Sequence, residues 1–272
     1  MDHDSGDTPN TVMRLSSVTM RFGGVVAIDN LTINIPPKKI VGLIGPNGAG
    51  KTTVFNVITG FYQSYKGEVI FNGMGLKGLQ PHKICKLGVA RTFQNIRLFE
   101  QGTVLENVMV GFHVNRTCHW WMAPLCLPQF FKEEKTIRLK SYELLERVNL
   151  ASFSREKASS LPYGAQRRLE IARALATEPT FLLLDEPAAG MNPQETAELM
   201  VFIEKIRQEF KLTIFMIEHD MKVVMGVCSH IWVMDYGKLI AEGGPEAIMG
   251  NQGVITAYLG KPQAADTTAS NA

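Results

Sequence analysis

The segment "IVGLIGPNGAGKTTVFNVITG" (residues 40–60) decides the fold of this 272-residue chain. It begins with an apolar run that predicts a buried strand, Ile40–Ile44, and it ends with apolar residues at helical spacing. Between them lies the spacing G-x-x-x-x-G-K-[ST] of a phosphate-binding loop. The fixed positions of that motif are Gly45, Gly50, Lys51 and Thr52. A chance match in a glycine-rich turn is the alternative, and the flanking strand and helix favour a phosphate site.

Each residue type in this loop has a physical task in holding the phosphates of a nucleotide. Glycines let backbone N–H groups fold around the β- and γ-phosphates, and the helix that follows directs its positive end at the anion. Lys51 supplies a positive charge to the phosphates, and Thr52 offers a hydroxyl to Mg²⁺. The predicted nucleotide-binding residues of the loop are Gly45, Pro46, Asn47, Gly48, Ala49, Gly50, Lys51, Thr52 and Thr53.

A second buried strand, predicted in "FLLLDEP" over residues 181–184, places two acids where α/β proteins bind ligands, at the carboxyl end of the strand. We expect Asp185 to hold Mg²⁺ through water and Glu186 to polarise the water that attacks the γ-phosphate. The alternative is that the two acids cap a helix beginning at Pro187, since acids are favourable at helix N-termini.

A third apolar run, "LTIFMIEHD", delivers a histidine to the same sheet edge. Among the six histidines, only His219 follows an apolar strand at its carboxyl end, where an imidazole could donate to a γ-phosphate. A lone histidine in such a position is usually without a catalytic role. The order of the motifs along the chain favours the functional interpretation.

Composition excludes several classes of protein. The formal net charge is +2 with acids and bases interspersed, so no basic surface argues for nucleic acid as a partner. The four cysteines show neither disulfide nor zinc spacing, which is typical of a reducing compartment. We find neither a run of about 18–20 apolar residues nor a signal-peptide pattern. Residues 1–10 and 261–272 are polar and are predicted to be disordered.

Taken together, the motifs resemble those of the ATP-binding subunits of ABC transporters. "RTFQN", "LPYGAQRR", "AAGMN" and "IEHD" lie in the family's order between and after the two nucleotide motifs. The resemblance implies that Gln94 links Mg²⁺ or the attacking water to the membrane partner, and that Phe22 stacks on adenine. A packed core position is the alternative for Phe22, because aromatic rings are common in cores.

The resemblance also implies the architecture. It predicts an α/β fold with a P-loop NTPase core, a RecA-like mixed sheet with helices on both faces, to which an antiparallel β subdomain and an inserted helical subdomain are added. The alternation of apolar strands with amphipathic helices independently predicts a parallel sheet covered on both faces. The ATP-binding domain is predicted over residues 11–260, with the helical subdomain at about 95–165.

The signature segment "LPYGAQ" departs from the family's usual pattern, L-S-G-G-Q. Pro162, Tyr163 and Ala165 replace the serine, the first glycine and the glutamine. In ABC proteins two ATPase subunits meet head to tail, so the resemblance implies that Gly164 contacts the nucleotide of the partner subunit in trans. A plain helix start with proline near its first position is the alternative.

A closer resemblance is to the ATP-binding subunits of branched-chain amino-acid importers, carried by "MRFGGVVAIDNL", "YGAQRRLEIARAL" and the ending "ITAYLG". It implies an ATPase at the cytoplasmic face of the membrane, bound to two permeases and served by an external binding protein. The second ATPase of the pair is a related subunit or another copy of this chain. The alternatives are an importer ATPase for a related substrate and a soluble, nucleotide-gated binding module.

One apolar segment, "TCHWWMAPLCLPQFF" (residues 117–131), carries no motif. Packing inside the helical subdomain is one interpretation, because apolar residues belong in the interior. Contact with a permease or with the membrane surface is the other, because exposed apolar patches mark interaction sites.

Overall fold

The computed structural model of the chain describes residues 11–116 and 128–259. The predicted disordered termini, 1–10 and 261–272, lie outside the described residues. So do residues 117–127, which make up most of the apolar segment without a motif.

Strands and helices alternate through these ranges. The strands are β1 (Met13–Phe22), β2 (Val25–Ile35), β3 (Ile40–Ile44), β4 (Lys66–Phe71), β5 (Met74–Gly75), β6 (Val89–Arg91), β7 (Phe181–Asp185), β8 (Thr213–Ile217), β9 (His230–Asp235) and β10 (Lys238–Gly243). The helices are α1 (Lys51–Ile58), α2 (Pro81–Lys86), α3 (Val104–Phe112), α4 (Pro128–Arg147), α5 (Tyr163–Leu175), α6 (Pro193–Glu209), α7 (Met221–Val227), α8 (Pro245–Met249) and α9 (Gln252–Leu259). No helix in these ranges combines the length and the hydropathy that a bilayer crossing requires.

Two sheets organise the fold. The larger has the order β10-β9-β3-β8-β7-β6, in which β10 is antiparallel to β9 and the other neighbours are parallel. The smaller has the order β2-β1-β4-β5 and is antiparallel throughout. The predicted mixed sheet and antiparallel β subdomain are confirmed.

The larger sheet lies between two apolar layers because its central strands are buried on both faces. Successive residues of a strand point to opposite faces, so Ile44 and Leu184 join the cluster that contains α3 to α7. Their neighbours Leu43 and Leu183 join the cluster that contains α1 and the smaller sheet. These continuous apolar runs place the carboxyl ends of β3, β7 and β8 side by side at one edge.

The helices between β6 and β7 occupy the region predicted to be helical. Helix α3 begins after Thr103, which forms a capping box with Glu106. Helix α4 begins at Pro128, where proline is tolerated in the first turn of a helix. It ends at Arg147, two residues before Asn149, which has a positive φ of 58°. The subdomain boundary at 95–165 stays a prediction.

Candidate functional site

The glycine-rich loop connects β3 to α1 and forms one wall of a surface cleft of about 600 Å³. The cleft brings together residues from five parts of the chain. Its lining residues are Val25, Val26, Ala27, Asn47, Gly48, Ala49, Gly50, Lys51, Thr52, Thr53, Gln94, Glu186 and Tyr236. The structure thus places the predicted phosphate loop opposite two of the predicted catalytic side chains.

Two glycines of the loop hold backbone conformations that exclude a side chain. Gly45 has a φ of 151°, and a Cβ there would lie 2.1 Å from the Met234 carbonyl oxygen. Gly50 has a φ of 101°, and its Cβ would lie 2.2 Å from the Ala27 carbonyl oxygen. Because Gly50 is the N-cap of α1, the loop closes directly onto a helix N-terminus, which is a favourable place for phosphate.

The Lys51 side chain folds back over the loop. It is 6% exposed, and its Nζ donates hydrogen bonds to the carbonyl oxygens of Gly45 at 2.7 Å and Pro46 at 2.9 Å. Burial lowers the pKa of Lys51 from its ordinary value, while the Glu186 and Asp185 carboxylates act in the opposite direction. The ammonium group is therefore held above the cradle, with carbonyl contacts that phosphate oxygens can replace.

Asp185 is the last residue of β7, one position beyond the predicted end of the strand, and is 4% exposed. Its Oδ2 pairs with Nη2 of Arg91 at 2.6 Å, and Nη1 of Arg91 donates to Oδ1 of Asn56 in α1 at 2.7 Å. Arg91 was not among the site residues predicted from the sequence. The signal was a basic residue at the end of an apolar strand, three positions before Gln94.

The helix-cap interpretation of the two acids is wrong. Helix α6 begins only at Pro193, and its N-cap is Asn192, whose side chain forms a capping box with Glu195. Glu186 instead has a positive φ of 47°, and its N–H donates to the Ile217 carbonyl oxygen at 2.9 Å. Such a backbone conformation is costly for a residue with a side chain and is found at functional sites.

Three predicted catalytic side chains meet at the carboxylate of Glu186. The amide Nε2 of Gln94 donates to Glu186 Oε2 at 2.8 Å. The imidazole Nδ1 of His219 lies 3.5 Å from the same oxygen, and the His219 side chain is 58% exposed. Glu186 Oε2 therefore accepts a hydrogen bond from Gln94 and lies close to the imidazole of His219.

Phe22 does not line the cleft, although it lies at its rim. It pairs across the β1–β2 hairpin with Val25, which does line the cleft. The ring is 42% exposed and packs edge-on against Tyr62 at 5.0 Å between ring centroids, so the packed-core alternative is wrong. A second ring, Tyr236, was not predicted from the sequence; it is 86% exposed and lines the cleft from the β9–β10 turn.

Gly164 lies in the first turn of α5, away from the cleft of its own chain. It borders a separate pocket of about 220 Å³, together with Pro162 and Met191. The hydroxyl of Tyr163 donates to the Ala189 carbonyl oxygen at 2.9 Å, which ties the unusual signature segment to the loop after β7. This position leaves the start of α5 available to a second subunit.

The donors predicted for Mg²⁺ fit that ion by their chemistry. Thr52 exposes a hydroxyl at the start of α1, and Asp185 and Gln94 supply a carboxylate and an amide oxygen. Magnesium usually takes one or two carboxylates together with waters and the phosphates of its substrate. These residues suit an ion that binds together with ATP.

Comparison with known proteins assigns the family. A family model described as "ABC transporter" matches residues 28–189, which is more than half of the chain. This chain belongs to the ABC transporter family. A second model, described as "Branched-chain amino acid ATP-binding cassette transporter", matches residues 238–264 of this ABC ATPase.

Similar proteins cover almost the whole chain. This ABC ATPase is 46% identical over 250 residues to the high-affinity branched-chain amino acid transport ATP-binding protein BraF of Pseudomonas aeruginosa, covering 92% of this chain and 98% of that protein. It is 45% identical to LivG of Escherichia coli K12, with the same coverage. A crystal structure of the ADP conformation of MJ1267, an ATP-binding cassette of an ABC transporter, is 30% identical, with a TM-score of 0.80 over 92% of this chain and 99% of that one. The predicted fold and ATPase activity are confirmed.

Proposed function

We propose that this ABC ATPase energises the import of branched-chain amino acids. The observation that carries the proposal is the similarity to BraF, which extends over 92% of the chain. The match of the C-terminal model to residues 238–264 supports it, because that segment lies outside the nucleotide motifs. None of the residues described in the cleft selects an amino acid, so the substrate follows from similarity.

The cleft geometry supports different roles for its side chains in ATP hydrolysis. Lys51 and the N–H groups of the glycine-rich loop hold the phosphates. Glu186 accepts the proton of the attacking water, while Gln94 and His219 orient the carboxylate and the γ-phosphate. Thr52, Gln94 and, through water, Asp185 would hold Mg²⁺, which would supply positive charge opposite the phosphate oxygens.

A groove of about 450 Å³ beside Gln94 is the surface that we assign to a permease. It lies between α2, β6, α3 and α5, and its rim carries aromatic and basic side chains: Phe61, Phe93, Arg97, Phe99 and Arg173. Aromatic residues and arginine are enriched at protein interfaces. We therefore place the chain at the cytoplasmic face of the membrane, bound to two permeases that receive substrate from an external binding protein.

The partner ATPase completes each catalytic site in this proposal. The N-terminus of α5, with Gly164 in its first turn, would cover the γ-phosphate that the other subunit holds. We expect that subunit to be a related ATPase or a second copy of this chain. Two composite sites would then open and close together as ATP is bound and hydrolysed.

Reconstitution tests the proposed function directly. The chain would be assembled in proteoliposomes with permeases encoded beside it, and ATP-dependent uptake of labelled leucine, isoleucine and valine would be measured. Uptake that requires the binding protein and ATP is expected. Uptake of a different amino acid in place of these three would show that the proposed substrate is wrong. Failure to assemble with any permease would favour the nucleotide-gated binding module.

Phe22→Ala is expected to weaken ATP binding about threefold to tenfold, because stacking of a base on an aromatic ring contributes about 1–3 kcal/mol, less at an exposed site. Nucleotide affinity is measured by titration with a fluorescent ATP analogue. Phe22→Tyr keeps the ring and should bind as the wild type does. Phe131→Ala removes an exposed ring on α4 and serves as the control. Wild-type ATP affinity in Phe22→Ala would indicate that Tyr236, rather than Phe22, contacts adenine.

Pro162→Ser is expected to raise ATP turnover of the assembled transporter several-fold at the site that this signature covers. Proline has neither a hydroxyl nor an N–H, and a hydrogen bond to a charged group contributes about 1.5–3 kcal/mol. The backbone of Pro162, with φ −56° and ψ 151°, is the extended conformation that serine adopts before a helix. Pro162→Ala removes the ring without adding a hydroxyl. If both variants behave like the wild type, the signature segment is a neutral helix start.

A further inference from the structure

A buried ion pair on α5 holds the backbone of the segment that carries Gln94. Arg167 is fully buried, and its two terminal nitrogens donate to the carbonyl oxygens of Phe93 and Gln94, each at 2.9 Å. Its Nη1 also donates to Glu170 Oε2 at 2.8 Å. The guanidinium therefore bridges two consecutive peptide groups of the Gln94 segment and one carboxylate of its own helix.

Glu170 extends the same contact on the other side. It is 2% exposed, and its Oε1 faces the backbone N–H groups of Phe93 and Arg97 at 3.5 and 3.4 Å. The pair thus contacts both ends of residues 93–97. Burying two opposite charges is costly, and apolar residues of similar volume are often at least as stabilising, so fold stability alone is a weak reason for this pair.

Gln94 requires such an anchor because its side chain is exposed. The amide reaches Glu186 Oε2 at 2.8 Å from a loop between β6 and α3. A shift of about 1 Å in a positioning group can reduce catalysis about 100-fold. The backbone of residue 94 must therefore be held in place from elsewhere, and in the described residues Arg167 donates to its carbonyl oxygen.

We propose that Arg167 and Glu170 form a positioning pair, which sets the Gln94 amide on the catalytic carboxylate and joins the signature helix of this chain to its own hydrolytic site. Arg167 lies one helical turn after Gly164. A displacement of α5 by a second subunit's nucleotide is thereby transmitted to Gln94. The inference rests on the proposed role of Gln94 and is independent of the transported amino acid.

The test replaces the pair by apolar residues in the full-length chain, assembled with its permeases. Arg167→Met with Glu170→Leu is expected to leave the Tm within a few degrees of the wild type. We expect kcat for ATP to fall about 10- to 100-fold while KM changes less than about twofold, because the phosphate loop is untouched. The matched control is the partly exposed Glu204–Arg207 pair on α6, which has the same i,i+3 spacing and a backbone contact to the Lys38 carbonyl oxygen.

Coupling to Gln94 separates positioning from a merely structural role. If the pair acts through Gln94, adding the double replacement to Gln94→Ala should slow turnover no further than Gln94→Ala alone. Additive losses would overturn the proposal. Wild-type kcat in the double replacement would also overturn it.

Arg167→Lys serves as the test if the double replacement does not fold. It retains the buried positive charge but loses the two-pronged contact to the backbone. A wild-type kcat in Arg167→Lys would refute the role of the pair. Unchanged turnover in Gln94→Ala refutes the role of Gln94 and this proposal with it. If Gln94→Ala slows turnover while the Arg167 variant turns over ATP at the wild-type rate, only the role of the Arg167–Glu170 pair is refuted.

Discussion

Lys51→Ala is expected to weaken ATP binding by about 100-fold or more. Lys51 is 6% exposed, and its ammonium group is held over the glycine-rich loop by two carbonyl oxygens. A hydrogen bond to a charged group contributes about 1.5–3 kcal/mol, and about 1.4 kcal/mol corresponds to a factor of ten. Losing the contacts to two phosphates therefore removes most of the affinity. Isothermal titration with ATP and Mg²⁺ measures the change.

Controls for Lys51 separate charge from geometry and from folding. Lys51→Arg keeps the positive charge but carries a wider planar group. Because the loop carbonyl oxygens leave little room for that group, we expect this variant also to bind ATP weakly. Lys238→Ala removes a lysine that is 66% exposed and pairs with Asp29, and it should bind ATP normally. A Lys51→Ala protein that folds and retains wild-type affinity would refute the phosphate-site assignment.

Glu186→Gln is expected to slow ATP turnover by about 100-fold or more while ATP still binds. The replacement keeps the shape of the side chain, and its amide oxygen can still accept the hydrogen bond from Gln94, at 2.8 Å in the wild type. It removes the carboxylate that accepts a proton, and positioned bases contribute about 10²–10⁴-fold. Single-turnover hydrolysis and ATP affinity are measured in the assembled transporter.

The chain offers a close control for Glu186. Glu178 also has a positive φ, of 56°, and its side chain is 53% exposed in an ion pair with Lys140. Glu178→Gln makes the same chemical change on the same backbone conformation, and it should leave turnover unchanged. Wild-type turnover in Glu186→Gln would show that another group accepts the proton, and His219 at 3.5 Å would be the first to examine.

Local patterns in the sequence were sufficient to predict the strand and the loop that form the phosphate-binding part of the site. Strand β3 was predicted with the bounds that the structure shows, because a short apolar run before a glycine-rich turn has few other conformations available. The loop from Gly45 to Thr53 follows from a fixed spacing in which each glycine is needed by the backbone. Since parallel strands end at one edge of a sheet, the meeting of Glu186 and His219 was also predictable.

What the sequence alone determined is the phosphate loop, the strands that lead into it and the order of the motifs, because each depends on residues a few positions apart. Tertiary structure alone decided that Arg91 pairs with Asp185, 94 positions later, and that Arg167 holds the Gln94 backbone, 73 positions earlier. It also placed Tyr236 at the cleft. These arginines have no characteristic spacing from their partners, which are a carboxylate and a backbone carbonyl oxygen that only the folded chain brings within reach. Tyr236 reaches the cleft only because β9 lies beside β3 in the sheet.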